Sequence, residues 1–217
     1  TGAVNRNWQA GAINYNGSIM MVGDSLGRLY KSTDSGSTWS VMTDSNINTN
    51  RNWTAVDMDT TGQIIYAACS PSSDPTTQGK VYRSIDGGIN WTDISPSSSI
   101  YYMGACSDDG ITAVASTYAG TKVWLSTDTG SNWTLIKTTG LANNNCIDIS
   151  GDGNTIILGE SDNKYVYITT NTGSTWISQS IIGPASWEFV EIDYTGANRL
   201  AGYIGATTGS LYRYGIL

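Results

Sequence analysis

Ser32-Thr33-Asp34-Ser35-Gly36-Ser37-Thr38-Trp39 decides the reading of this chain, because its pattern, Ser-x-Asp-x-Gly-x-x-Trp, returns along the sequence. It recurs at Ser84-Ile85-Asp86-Gly87-Gly88-Ile89-Asn90-Trp91 and at Ser126-Thr127-Asp128-Thr129-Gly130-Ser131-Asn132-Trp133. A weakened copy, Thr169-Thr170-Asn171-Thr172-Gly173-Ser174-Thr175-Trp176, follows. The copies start 52, 42 and 43 residues apart, the mark of a tandem supersecondary unit. Each copy is entered from a short β-rich run, such as Leu29-Tyr30-Lys31 or Val81-Tyr82-Arg83, and left through another, such as Ser40-Val41-Met42. Two such runs around a polar, Gly-containing turn predict a β-hairpin. Asp34, Asp86 and Asp128 suit the turn because a carboxylate accepts hydrogen bonds from backbone N–H groups a few residues on. Gly36, Gly88, Gly130 and Gly173 suit it because the reversal calls for positive φ. Trp39, Trp91, Trp133 and Trp176 supply an apolar lid over the hairpin. All of these roles are structural.

A second hairpin precedes each of these turns. Its own turns carry Asn16-Gly17, Thr61-Gly62, Asp109-Gly110, Asp152-Gly153 and Thr195-Gly196, so there are five units although only four keep the Asp-type turn. The fifth reaches Ser210-Leu211-Tyr212-Arg213-Tyr214 and lacks a last strand. Thr1-Gly2-Ala3-Val4 precedes Asn5-Arg6-Asn7-Trp8 as Trp39-Ser40-Val41-Met42 precedes Asn50-Arg51-Asn52-Trp53, and so supplies a replacement. The expectation is an all-β, five-bladed β-propeller of four-stranded antiparallel blades, closed by the N-terminal strand pairing in the last blade. The blades fall at about 8–43, 53–95, 101–138, 144–181 and 187–217 plus 1–4, one domain over residues 1–217.

The four turns resemble the Asp-box, or BNR, repeats of the sialidase and sortilin-like propellers, of some xyloglucan-cleaving glycosidases and of a photosystem assembly factor. The resemblance covers the turn and strand pattern of nearly the whole chain, and departs at Asn171 and in the fifth unit. It implies a propeller whose boxes lie away from the functional face. It does not extend to sialidase chemistry, since only six arginines and no Arg-Ile-Pro occur.

Composition narrows the function classes. Eighteen acidic against eleven basic residues give a net charge of −7, and no basic face is available to displace counterions from nucleic acid. No apolar run is long enough to span a bilayer. Only 13 % of residues are charged, a Ser/Thr/Asn-rich surface of the kind found on secreted and surface-displayed proteins, and Thr1 in place of a starting Met suggests a processed or trimmed chain. Cys69, Cys106 and Cys146 lie in apolar runs and read as small buried hydrophobes. There is no histidine, which removes Ser-His and Cys-His nucleophile pairs and argues against a zinc site; no cofactor and no metal are expected. Asp148-Ile149-Ser150-Gly151-Asp152-Gly153-Asn154 superficially resembles a calcium loop, but Gly159 holds the place of its bidentate Glu, and a hairpin turn explains it better.

Two sets of residues remain as candidate sites. The first strands open with Trp8, Trp53, Tyr101, Asn144 and Trp187, twice after an Asn-Arg-Asn lead. Flat rings beside amide and guanidinium donors fit sugars, so Arg6, Trp8, Arg51, Asn52, Trp53, Tyr101 and Trp187 form a candidate glycan face opposite the Asp turns. The competing reading is that these rings seal the blades to one another. The second set, Asp57, Asp148 and Glu191, occupies one repeat position of the first strands, and paired carboxylates are the machinery of glycosidases. The expected function is a non-enzymatic, lectin-like binding propeller at the extracellular or cell or virion surface, with glycan or a surface protein as partner. A glycoside hydrolase and a protein-interaction scaffold are the alternatives.

Overall fold

The computed structural model describes residues 6–70, 78–97, 99, 101–117, 122–138, 144–161, 165–204 and 209–215. The chain is all-β, a five-bladed β-propeller built of antiparallel sheets. The first sheet joins β1 (Trp8–Ile13), β2 (Met20–Asp24), β3 (Leu29–Ser32) and β4 (Ser40–Val41) in chain order. The second joins β5 (Asn52–Met58), β6 (Ile65–Ser70), β7 (Lys80–Ser84) and β8 (Thr92–Asp93). The third joins β9 (Tyr101–Cys106), β10 (Ala113–Thr117), β11 (Lys122–Ser126) and β12 (Thr134–Thr138). The fourth joins β13 (Asn144–Ile149), β14 (Ile156–Glu160), β15 (Val166–Thr169) and β16 (Ile177–Ser178). The fifth shows three described strands, β17 (Trp187–Ile192), β18 (Asn198–Ile204) and β19 (Gly209–Gly215). The expected closing strand at residues 1–4, and most of the long connection after β6, fall outside the described residues. Among the described residues no helix is long and apolar enough to cross a membrane.

The chain divides into two compact units, residues 1–104 and 105–217, each with its own core. In the first, Met21, Leu29, Trp53, Ile65, Tyr82 and Trp91 pack together. In the second, Cys146, Ile157, Val166, Ile168, Trp187 and Ala201 do so. The second and third strands of the fourth blade are buried almost throughout, as expected where sheets face one another. The three cysteines are buried, as their apolar context predicted.

The turn motif explains itself atom by atom. Its hub is the serine. Ser32 Oγ donates to Asp34 Oδ1 at 2.8 Å and accepts from the Gly36 N–H at 2.9 Å, while Asp34 Oδ1 accepts from the Thr38 N–H at 2.8 Å. Ser84 with Asp86 and Ser126 with Asp128 repeat this arrangement, and all three serines are buried. The residue before each Gly is also left-handed, at Ser35, Gly87, Thr129 and Thr172, so the turn needs two consecutive positive φ values and not one. In the fourth blade Asn171 keeps the acceptor, taking the Thr175 N–H on Oδ1 at 2.9 Å, but its Nδ2 donates to Thr175 Oγ1 where Asp34 Oδ2 accepts from Thr38. The lids differ too. Trp39 and Trp91 donate from Nε1 to the Gly36 and Gly88 carbonyls at 3.0 Å. The Nε1 atoms of Trp133 and Trp176 are buried without a hydrogen-bond partner.

These bonds hold Asp34 and Asp128 at pKa values of about 2, chiefly through the side chains of Thr38 and Asn132. A carboxyl whose folded pKa is depressed stabilises the fold above its unfolded value and ceases to as pH falls through the folded one. The thermal midpoint should therefore drop between pH 3.8 and about 2, and less so in a chain carrying Asp34→Asn and Asp128→Asn, as read by thermal melts across that range. A pH-independent midpoint would contradict the turn assignment.

Candidate functional site at the first strands of blades one and two

The two Asn-Arg-Asn-Trp segments flank one loop, residues 24–28, between β2 and β3. Arg6 is ion-paired to Asp24 at 2.9 Å. The Ser25 N–H donates to the Asn7 carbonyl at 2.8 Å, and Ser25 Oγ donates to Asn52 Oδ1 at 2.9 Å. The Arg51 N–H donates to the Gly27 carbonyl at 2.8 Å. The loop thus ties Arg6 and Trp8 to Arg51 and Asn52, four of the residues singled out from the sequence. At its tip Leu26 is exposed with φ of 61°, an unfavourable backbone for a branched side chain. Asp24, Ser25, Leu26 and Tyr30 belong to this site and were not expected. Only the repeated Asn-Arg-Asn-Trp segment pointed to the place.

Each arginine lies over a tyrosine, Arg6 at 4.7 Å from the Tyr30 ring centre and Arg51 at 5.1 Å from that of Tyr82. Each tryptophan meets the same tyrosine, Trp8 edge-on to Tyr30 at 5.5 Å and Trp53 tilted on Tyr82 at 6.0 Å. The two constellations match in composition and differ in cover. Trp53 is 0 % exposed and Trp8 is 48 % exposed. Trp53 is wedged against β2 so closely that a Cβ on Gly23 would lie 2.7 Å from the Trp53 Cβ. Burial corrects the expectation of a wide stacking face. Trp187, also 0 % exposed, packs edge-on to Tyr203 and Tyr212, and a Cβ on Gly159 would lie 2.9 Å from its own Cβ. Tyr101 is buried with its hydroxyl donating to the Ser97 carbonyl at 2.7 Å and accepting from the Ser97 N–H. Trp53, Tyr101 and Trp187 therefore present no ring face to a ligand. For Trp53 and Trp187, the reading in which rings seal blade to blade is the one observed.

Two of the three candidate carboxylates, Asp57 and Asp148, accept from backbone N–H groups. Asp57 Oδ1 accepts from the Met58 N–H at 2.9 Å. Asp148 Oδ1 accepts from the Ile149 N–H at 2.8 Å, and its Oδ2 accepts from the Ile192 N–H at 2.9 Å, which pins β13 to β17. Glu191 precedes Ile192 in the chain; it is exposed, yet desolvation by the surrounding protein raises its carboxyl above the ordinary range. The loop that resembled a calcium site is a hairpin turn in which Asp152 accepts from Ser150 Oγ at 2.6 Å and from the Asn154 N–H at 3.0 Å.

No family model and no curated protein matches the chain. Solved propellers match it in fold. A structure described as YCF48 bound to D1 peptide superposes with a TM-score of 0.69 at 13 % identity, covering 96 % of this chain and 65 % of that one. An ancestral GH74 enzyme gives 0.76 at 20 % identity, covering 98 % and 31 %. The GH74 xyloglucanase of Xanthomonas campestris gives 0.76 at 13 % identity, covering 97 % and 36 %. The chain spans less than two thirds of each of these proteins, and at such identities the likeness is of fold.

Proposed function

We propose that the chain is a non-catalytic binding propeller, secreted or surface-displayed, whose four turns are Asp-box repeats and whose ligand face centres on Trp8. The observation that carries this reading is the contrast between twin constellations. The second-blade copy is sealed, whereas the first-blade copy offers a half-exposed indole beside a guanidinium already oriented by Asp24 and Tyr30. Pre-orientation of that kind lowers the ordering cost of binding. A half-exposed ring next to fixed donors fits a sugar, with its C–H face on the indole and its hydroxyls on Arg6, so carbohydrate is the favoured ligand class. The occupied Asp57 and Asp148 favour binding over hydrolysis, since a general acid needs a carboxyl free to exchange its proton.

A protein or peptide partner is the second reading. Leu26, exposed and strained at the tip of the loop that holds Arg6, favours it, as does the peptide-bound propeller among the fold neighbours. A glycan array followed by titration tests both. The expected result is weak glycan binding, about 0.1–1 mM, abolished in the Trp8→Ala variant with the thermal midpoint little changed. Turnover of an aryl glycoside or polysaccharide that Glu191→Gln removes would refute the non-catalytic reading. Absence of glycan binding across a broad array would leave the protein partner.

A further inference from the structure

Asn16-Gly17 is the only asparagine–glycine pair in the chain; every other asparagine precedes a residue that carries a side chain. The pair lies in the turn between β1 and β2, with Asn16 exposed, at the far end of β1 from Trp8. An asparagine in this setting is open to attack on its own side-chain amide, because no Cβ shields the next backbone nitrogen.

The fold arranges the turn for that attack. Asn16 Oδ1 accepts from the Ser18 N–H at 2.9 Å, a bond that curls the side chain back over the Gly17 nitrogen. The same N–H would stabilise this oxygen as it becomes an oxyanion in a tetrahedral intermediate. Nδ2, the atom that would leave, makes no hydrogen bond among the described residues. Other asparagine amides are held. Asn90 and Asn132, equally exposed, donate from Nδ2 to the Asp86 and Asp128 carboxylates at 2.6 and 2.7 Å, and Asn52 donates to Ser70 Oγ at 2.6 Å. One contact opposes the reaction. The Gly17 N–H donates to the Asn14 carbonyl at 3.0 Å, so its nitrogen reacts only when that bond opens, and in an exposed turn such opening costs little.

The product has a precedent within the chain. Asp109 and Asp152 hold the same place in the turns of blades three and four, each before a glycine. Each accepts on Oδ1 from the N–H two residues on, at 2.9 and 3.0 Å, as Asn16 does. A carboxylate at position 16 would keep that bond.

We propose that Asn16 is a self-modification site, which deamidates through a succinimide while the protein stays folded. The Gly17 nitrogen bonds to Asn16 Cγ and gives up its proton; the Cγ–Nδ2 bond breaks, and the amide departs with that proton as ammonia. Water then opens the ring at either carbonyl. Opening at Cγ leaves aspartate, and opening at the main-chain carbonyl leaves isoaspartate, whose backbone runs through Cγ and is longer by one carbon. Either product adds a negative charge to the turn, so the site records the age of a folded chain. It does not depend on the function proposed for the Trp8 face.

The test is incubation of the whole folded chain in mildly alkaline buffer at physiological temperature. Conversion is followed by mass spectrometry of the tryptic peptide 7–28 and by labelling with an isoaspartyl methyltransferase. Position 16 should convert ahead of every other asparagine, to a mixture of aspartate and isoaspartate, while circular dichroism shows the chain still folded. The rate should rise with pH, because the attacking nitrogen must lose its proton. Asn16→Gln, which would have to close a larger ring, should lose the label in that peptide. Asn16→Asp should keep the thermal midpoint of the unmodified chain, as its sibling turns imply. Earlier conversion of another asparagine, a rate indifferent to pH, conversion only in unfolding concentrations of urea, or a large fall in the midpoint of Asn16→Asp would overturn the assignment.

Discussion

Trp53→Ala destabilises the protein by about 3–5 kcal/mol, the cost of emptying a fully buried aromatic site, whereas Trp8→Ala costs about 1 kcal/mol or less. The two residues follow the same Asn-Arg-Asn lead and meet equivalent tyrosines, so a difference between them measures cover and not chemistry. Trp53 fills the space against Gly23, with no solvent contact, and its removal leaves a cavity that rigid strands on both sides cannot close. Trp8 is 48 % exposed and loses little burial. Chemical denaturation of the two variants decides the matter. Equal losses would mean that Trp8 is also a sealing residue, and the ligand face would have to be sought elsewhere.

Gly159→Ala should be a strongly damaging one-carbon addition in the second unit, costing about 3 kcal/mol, the upper end of ordinary overpacking. Its Cβ would come within 2.5 Å of Cys146 Sγ and 2.9 Å of the Trp187 Cβ, both held in the core. Cys146 cannot swing aside cheaply, because its one S–H is shared between the Gly159 and Trp187 carbonyls, at 3.8 and 3.7 Å, in a site where burial pushes its pKa far up. Cys146→Ala removes one of the two clashes, so Gly159→Ala combined with Cys146→Ala should be less destabilised than the sum of the single variants. A non-additive gain in the thermal midpoint confirms the contact, and strict additivity would deny it.

The hairpin turns were legible because their chemistry is local. Asp34, Asp86 and Asp128 accept from residues within four positions, and a motif that satisfies itself leaves its whole mechanism in eight letters. The blade pattern followed from the spacing of those letters. The fates of Trp8 and Trp53 were not legible from their own segments, which are alike; they depend on which strand lies across from each ring. A partial signal did exist. Gly23 and Gly159 sit inside strands, where a glycine marks the close approach of another backbone or side chain, and both prove to face a tryptophan of the next blade. Asp148 shows the same limit. Its position in a first strand suggested chemistry, but its acceptor role involves Ile192, 44 residues away. Leu26 carried no signal at all, since nothing in a leucine announces positive φ.

The unequal cover of the tryptophans also makes the protein its own spectrometer. Trp53, Trp187 and Trp91 are sealed at 0, 0 and 2 % exposure, whereas Trp8 and Trp39 are open at 48 and 41 %. A soluble quencher such as iodide should therefore darken a red-shifted fraction of the emission and leave a blue-shifted fraction untouched. A ligand seated on Trp8 would shield that residue and spare Trp39, which serves as the internal reference. Occupancy of the face could then be followed by quenching in the unmodified chain, before the identity of the ligand is known and without any label.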